Sequence, residues 1–144
     1  MLVAQILKAK GTEGVFTIPS NINVSMAIEV LSEKKIGAVI VSDDGSAPLG
    51  ILSERDIVKA LGQRGPSSLD LGVADLMTAK LVSCTASETA DQVLEKMTAG
   101  RFRHMPVMDG SAMIGLISIG DVVKARLSEL AMEKDALEGM IKGF

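Results

Sequence analysis

Two short segments hold the residue types best suited to chemistry, Ser53-Glu54-Arg55-Asp56 and Ser118-Ile119-Gly120-Asp121. Each sets a hydroxyl and a carboxylate three residues apart, directly after an apolar stretch, Gly50-Ile51-Leu52 or Gly115-Leu116-Ile117. At the start of a helix this spacing closes a cap. The Ser oxygen accepts from the amide of the third helical residue, and an Asp there suits the positive end of the helix dipole. That is the plain structural reading. The same helix start also offers free amides and an acidic acceptor, which suit an anion or a sugar hydroxyl. Gly50 and Gly115 would let a ligand approach the strand backbone closely. The recurrence of the pattern gives the second reading weight.

Other chemistry finds little support. His104 is the single histidine and Cys84 the single cysteine, so a zinc site of the usual Cys/His kind is excluded. A lone Cys also excludes an internal disulfide framework and fits a reducing compartment. Cys84 has no partner at catalytic spacing and reads as a small strand residue. The chain has no Gly-x-Gly-x-x-Gly after a strand and no phosphate-binding Gly-x-x-x-x-Gly-Lys-Ser/Thr loop, which argues against Rossmann-type dinucleotide binding and against ATP hydrolysis. With no nucleophile–base constellation, the chain does not read as an enzyme.

Composition bounds the remaining classes. The 144 residues are 47% hydrophobic and 23% charged, but only Phe16, Phe102 and Phe144 are aromatic. The core must therefore be aliphatic, and most of the nine Met belong to it. Single-stranded nucleic-acid binders use aromatic stacking platforms that this chain lacks. Its net charge of −3 gives no electrostatic footprint for DNA or RNA over the whole chain. No apolar run is long enough for a transmembrane helix, and Met1–Lys10 has no long apolar stretch of the secretory type. The expected location is cytoplasmic.

The elements that must position the two Ser/Asp pairs repeat as well. GILSERDIVKA (50–60) matches GLISIGDVVKA (115–125) at a constant offset, and the lead-in VAQIL (3–7) resembles VADLM (73–77). The chain thus reads as two copies of a unit of roughly 60 residues. Each copy reads β-α-β-β-α. Extended segments Val15–Ile18 and Leu81–Cys84 come first. A helix follows, capped by Asn23 or Ser25 in the first copy and by Ser87 in the second. Val24, Ala27, Ile28, Leu31 and Lys35 keep helical spacing, as do Ala90, Val93, Leu94 and Met97. Gly37 and Gly100 are expected to end these helices. Strands 38–41 and 104–107 precede a Gly-containing turn and strands 48–52 and 112–117. A second helix then starts at Ser53 or Ser118. The Gly/Pro/Ser-rich stretch between Gly62 and Gly72 reads as the linker, which gives repeat one at 1–66, linker 67–72 and repeat two at 73–144. The last helix is the longer one. Val123, Leu127, Leu130, Leu137 and Ile141 form a heptad-like stripe with Lys134 in its gap. The stripe fits packing within its own domain or, alternatively, a dimer contact. Three heptads with one Lys are too few to identify a coiled coil.

The repeated G-h-h-S-x-x-D motif (h apolar), together with RFRHMPVMDG (101–110) and its counterpart KIGAVIVSDDG (35–45), resembles the tandem cystathionine-beta-synthase-type (CBS) domain pair, and the closing tail resembles that of small stand-alone bacterial members. The resemblance covers the whole chain. It implies an α+β fold with two repeats about a pseudo-twofold axis. It also implies a regulatory module that binds adenine nucleotides (AMP, ADP, ATP or NAD(H), sometimes S-adenosylmethionine) in clefts between the repeats. Regulation would act in trans on an unknown protein, with no further cofactor required.

Carried over residue by residue, Asp56 and Asp121 would take ribose hydroxyls, with Ser53 and Ser118 beside the ribose or phosphate. The backbone of Gly37, Ala38 and Val39, and of His104, Met105 and Pro106, would read the adenine edge. Thr17, Ile18 and Pro19, and Ser83, Cys84 and Thr85, would line the opposite wall. Ile18, Ile22, Val39 and Met105 would form an aliphatic surface for adenine. Arg103 and His104 make the second copy the better phosphate site, since Arg offers a bidentate fork. Arg55, which has no counterpart at Gly120, is a further phosphate candidate, and Lys8 and Lys10 are weaker ones. A homodimer is expected, with no membrane partner and little case for nucleic acid. The alternative is a scaffold module whose clefts are empty or vestigial.

Overall fold

The computed structural model describes residues 1–11 and 15–143. Its elements are α1 (Val3–Lys10), β1 (Thr17–Ile18), α2 (Val24–Lys34), β2 (Ala38–Val41), β3 (Gly50–Ser53), α3 (Glu54–Arg64), a 3-10 turn (Pro66–Asp70), α4 (Val73–Leu76), α5 (Ala90–Gly100), β4 (His104–Asp109), β5 (Ala112–Ser118) and α6 (Ile119–Ile141). The fold is mixed α+β, as the alternation of strand and helix signals requires.

The elements form two compact units, and the units do not follow sequence order. One contains β1 through α4, joined by the 109–114 turn of the later hairpin. The other contains α1, α5, the remainder of β4 and β5, and α6. Each lead-in helix is thus exchanged: α1 packs with the second copy and α4 with the first.

In the first unit β2 lies between β1, parallel to it, and β3, antiparallel to it. Ala38–Val41 is buried at all four positions, as a central strand covered on both faces demands, which is why it reads as an unbroken apolar run. Asn23 caps α2, its Oδ1 accepting from the Met26 amide at 2.9 Å. Val24, Ala27 and Leu31 then bury one helical face against Ile18, Val39, Val41, Leu52, Ile57 and Val73. The stretch expected to be a linker is folded: α3 runs through Gly62 to Arg64, and Pro66 opens a 3-10 turn. Within that turn Ser68 is buried and its hydroxyl donates to the Ala60 carbonyl at 3.0 Å.

In the second unit the core joins Val3 and Ile6 of α1 to Val93 and Met97 of α5, Met105 and Val107 of β4, Ile117 of β5 and Val122 and Ala125 of α6. The expected strand Leu81–Cys84 contracts to one parallel bridge, Cys84 with Val107, and Val82 and Ser83 stay exposed, with no strand pairing among the described residues. The cap of α5 is Thr89 rather than Ser87. Its hydroxyl accepts from the Gln92 amide at 3.2 Å while Gln92 accepts from the Thr89 amide at 2.9 Å, a reciprocal box that needs the Thr-x-x-Gln spacing. The helix ends also differ from expectation. Lys35 and Arg101, not Gly37 and Gly100, take the left-handed conformation (φ 55° and 57°). Gly100 remains helical, closely covered by the Phe102 ring, which leaves no room for a side chain there.

Candidate functional site

Both Ser/Asp pairs form reciprocal helix caps. The Ser53 amide and hydroxyl each donate to Asp56 Oδ2 at 2.9 Å, and the Asp56 amide returns to Ser53 Oγ at 3.3 Å. The Ser118 amide donates to Asp121 Oδ2 at 2.9 Å, and the Asp121 amide donates to Ser118 Oγ at 3.1 Å. The capping reading is therefore correct at both positions. It leaves two half-buried carboxylates fixed at the starts of α3 and α6.

The surroundings of the two carboxylates differ. Lys10, at the end of α1, places its ammonium 2.9 Å from Asp121 Oδ2 and 2.8 Å from the Leu116 carbonyl. Burial pushes the Asp121 carboxyl up. The Ser118 amide, the Lys10 ammonium and the Ser118 hydroxyl more than offset this and hold it below its ordinary 3.8. Lys10, a weaker candidate in the sequence, is thus the cation that the structure brings to a Ser/Asp pair, whereas Lys8 is exposed on α1. Asp56 instead borders a shallow depression lined by Lys59, Ala60, Gln63 and Arg64 of α3 and by Asp75 and Leu76 of α4. Sequence reasoning missed Lys59 and Arg64. Their three- and eight-residue spacing from Asp56 on one helix was the available signal.

The other candidates fall around these two centres. In the first unit Thr17 and Ile18 (β1) lie beside β2, followed by the exposed Pro19. The Gly37 carbonyl accepts from the Glu54 amide at 2.9 Å, which ties the start of β2 to the Ser53 cap. Arg55 is exposed on the first turn of α3. In the second unit the Arg103 carbonyl accepts from the Ile119 amide at 2.8 Å, the same tie in the second copy. The Arg103 side chain is exposed and His104 is half-buried. Ser83, Cys84 and Thr85 run beside β4, with the Cys84 amide donating to the Pro106 carbonyl at 3.1 Å and the Met108 amide to the Cys84 carbonyl at 2.8 Å. Glu88 accepts from the Thr85 amide and pairs with Lys96, which also donates to the Ser83 carbonyl. This holds the loop in shape.

Two expectations are corrected. Ile18, Val39 and Met105 have their side chains in the two cores, at 4%, 1% and 0% exposure, with Ala38 and Pro106 also buried and Ile22 packed at the margin. The aliphatic wall expected for adenine is therefore interior, and β2 and β4 have only backbone to offer there. The space at Gly50 and Gly115 is also filled. A Cβ at Gly50 would lie 2.5 Å from Met77 Sδ, and one at Gly115 would lie 2.6 Å from Leu7 Cδ2. Each glycine admits the last apolar residue of a lead-in rather than a ligand.

Among the described residues, no group of three His, Cys, Asp or Glu side chains could hold a metal. Burial, with the Glu88 charge beside it, pushes the Cys84 thiol up to about 11, which opposes thiolate formation. No described helix is long and apolar enough to cross a membrane.

Two repeats, β-α-β-β-α in the first and α-β-β-α with a single bridge at Cys84 in the second, each opening its last helix on a Ser-x-x-Asp cap, define a tandem-repeat module. The model of the CBS domain matches residues 4–63 and again 73–128, and the chain belongs to the CBS domain family. It is similar to the crystal structure of the CBS-domain containing protein ATU1752 from Agrobacterium tumefaciens, with 44% identity, 88% of this chain and 99% of that one covered, and a TM-score of 0.83. It also shares its fold with the CBS domain pair of protein MJ0100, solved with 5-methylthioadenosine and S-adenosyl-L-methionine (24% identity, 90% and 98% covered, TM-score 0.77). A third likeness is the CBS domain protein PAE2072 from Pyrobaculum aerophilum, complexed with AMP (22% identity, 92% and 99% covered, TM-score 0.76).

Proposed function

We propose that this chain is a non-catalytic regulatory module that binds an adenine nucleotide at one or both Ser/Asp centres and passes the binding event to another protein. The observation that carries this reading is the Ser118–Asp121 cap with Lys10 beside it. A fixed acidic acceptor suits ribose hydroxyls, and a neighbouring ammonium suits phosphate. Asp121 and Asp56 take the ribose, Ser118 and Ser53 sit alongside, and the backbone of 104–106 and 37–39 reads the base. Arg103, His104 and Lys10 make the second unit the stronger phosphate site. That two proteins of this fold were solved with AMP or with adenosyl ligands supports the ligand class. The module acts as a homodimer, and the ligand's effect on its partner is bounded by its differential affinity for the two states.

The test is a thermal-shift series with AMP, ADP, ATP, NADH and S-adenosylmethionine. A dose-dependent rise in melting temperature is expected for a ligand that binds the folded state. Asp121→Ala should weaken that ligand by about tenfold or more, the worth of a charged acceptor. The interior placement of Val39 and Met105 favours a second reading, a scaffold whose centres hold nothing. The absence of any shift with every adenine compound would select it.

A further inference from the structure

The stripe on α6 has no cover among the described residues of its own unit. Val122 and Ala125 face the core, and the stripe lies roughly a third of the helix circumference away from them. Leu127, Leu130, Leu137 and Ile141 are 62%, 48%, 59% and 83% exposed. This corrects the expectation of packing within the domain. Among the described residues the last α6 side chains tied outside the helix are Arg126, through Asp91 at 3.0 Å, and Glu129, through the Met1 amino group at 2.8 Å. Residues 131–138 are exposed throughout. The final turns therefore form a helix without tertiary support, about 18 Å long from residue 130 to 141. A helix of that length is marginal in water unless its apolar face is covered.

We infer that the exposed stripe of α6 is the seam of an antiparallel two-helix pairing with α6 of a second copy of this chain. The spacing Val123, Leu127, Leu130, Lys134, Leu137, Ile141 alternates four and three residues, the a/d repeat of a coiled coil. Charge decides the direction. In a parallel pair the two Lys134 would meet in the seam, and Glu133 of each copy would face Glu138 of the other. In an antiparallel pair centred on residue 132, Leu127 packs opposite Leu137, Val123 opposite Ile141, and each Lys134 lies against a Leu130. Its stem can cover that leucine while its ammonium reaches water. Lys124 of each copy then faces Glu138 of the other, on both sides. One like-charge contact remains, Glu133 against its own copy at the centre. The antiparallel arrangement thus has two attractive pairs and one repulsive contact, and the parallel one has only repulsive contacts.

This inference rests on the homodimer in the function proposed above, and the test separates the two. Sedimentation equilibrium of the full chain is expected to give twice the monomer mass at ~100 μM. Leu130→Lys with Leu137→Lys should give a folded monomer whose circular dichroism loses no more than the helicity of the last turns of α6. Lys124→Glu or Glu138→Lys alone should each weaken dimerisation about fivefold, and the two together should restore it, as expected for two exposed ion pairs. A dimer that survives Leu130→Lys/Leu137→Lys would overturn the α6 seam while leaving the homodimer intact. Tighter dimerisation by Glu138→Lys would overturn the antiparallel direction. A wild-type monomer at that concentration would overturn both the seam and the homodimer.

Discussion

The Lys10 ammonium and the Asp121 carboxylate stand 2.9 Å apart although 111 positions separate them in the chain. The pair fastens the end of α1 to the start of α6, and the Leu116 carbonyl, 2.8 Å from the same nitrogen, fixes it further. Asp121 is already the capping acceptor of its helix. One carboxylate therefore serves a cap, an ion pair and the candidate ribose site, and its charge state matters to all three.

That arrangement predicts a pH dependence with a definite sign. The Asp121 carboxyl is held below its ordinary 3.8 in the folded chain. Its contribution is therefore present above that value and is lost as the pH falls through the lowered one. Lys10 is 44% exposed at its side chain, so solvent screening limits its share to about 0.5 kcal/mol. Lys10→Met should lower unfolding stability by that amount at pH 6, and the gap from wild type should narrow at a pH below Asp121 protonation, where only the bond to the Leu116 carbonyl remains. Urea denaturation at the two pH values measures it. A gap of equal size at both would show that Lys10 acts through its Leu116 hydrogen bond and packing, and not through the Asp121 charge.

The two repeated glycines should not tolerate substitution equally. A Cβ at Gly50 meets the Met77 side chain and also the Thr78 carbonyl oxygen at 3.0 Å, and that carbonyl is held by the Ile51 amide. A Cβ at Gly115 meets only Leu7 side-chain carbons. Side chains can turn aside, whereas a bonded carbonyl moves only with its backbone. Gly50→Ala is expected to cost about 2 kcal/mol and Gly115→Ala about 1 kcal/mol, in the range of overpacking. Thermal denaturation of the two variants reads the difference, and the reverse order would refute this account of the motif.

Local patterns were legible in the sequence, and distant ones were not. The Ser53 and Ser118 caps could be read because donor and acceptor lie three residues apart, and β2 because a central strand is apolar throughout. The ends of α2 and α5 could not, since Lys35 and Arg101 occupy a left-handed conformation that sequence statistics assign to glycine. The exchange of lead-ins also left no local trace. Leu7 and Met77 align with one another in the repeat, and nothing near either residue says which glycine it covers. The pairing of Lys10 with Asp121 has the same character: each residue is ordinary in its own neighbourhood, and only the placement of α1 on the second copy joins them. The expected adenine wall failed for a different reason. An apolar residue in a strand reads the same whether it lines a site or fills a core, and at Val39 and Met105 the core took it.

Cys84 is the natural probe of whether the second unit opens. Its side chain is buried against β4, with the bridge to Val107 holding its backbone. Burial, reinforced by the Glu88 charge, pushes its thiol up to about 11. At pH 8 the thiolate is thus a minor species, and the reagent has no direct path to it. Labelling with a thiol reagent should proceed far more slowly than in the urea-unfolded chain, at a rate set by opening of the unit rather than by reagent concentration. An adenine nucleotide bound at the Asp121 centre lies in this same unit and should slow labelling further, because it stabilises the closed state. Fast labelling of the native protein at pH 8 would contradict the packing of Cys84 beneath β4. Slow labelling that no nucleotide alters would separate the packing, which would stand, from the ligand, which would not.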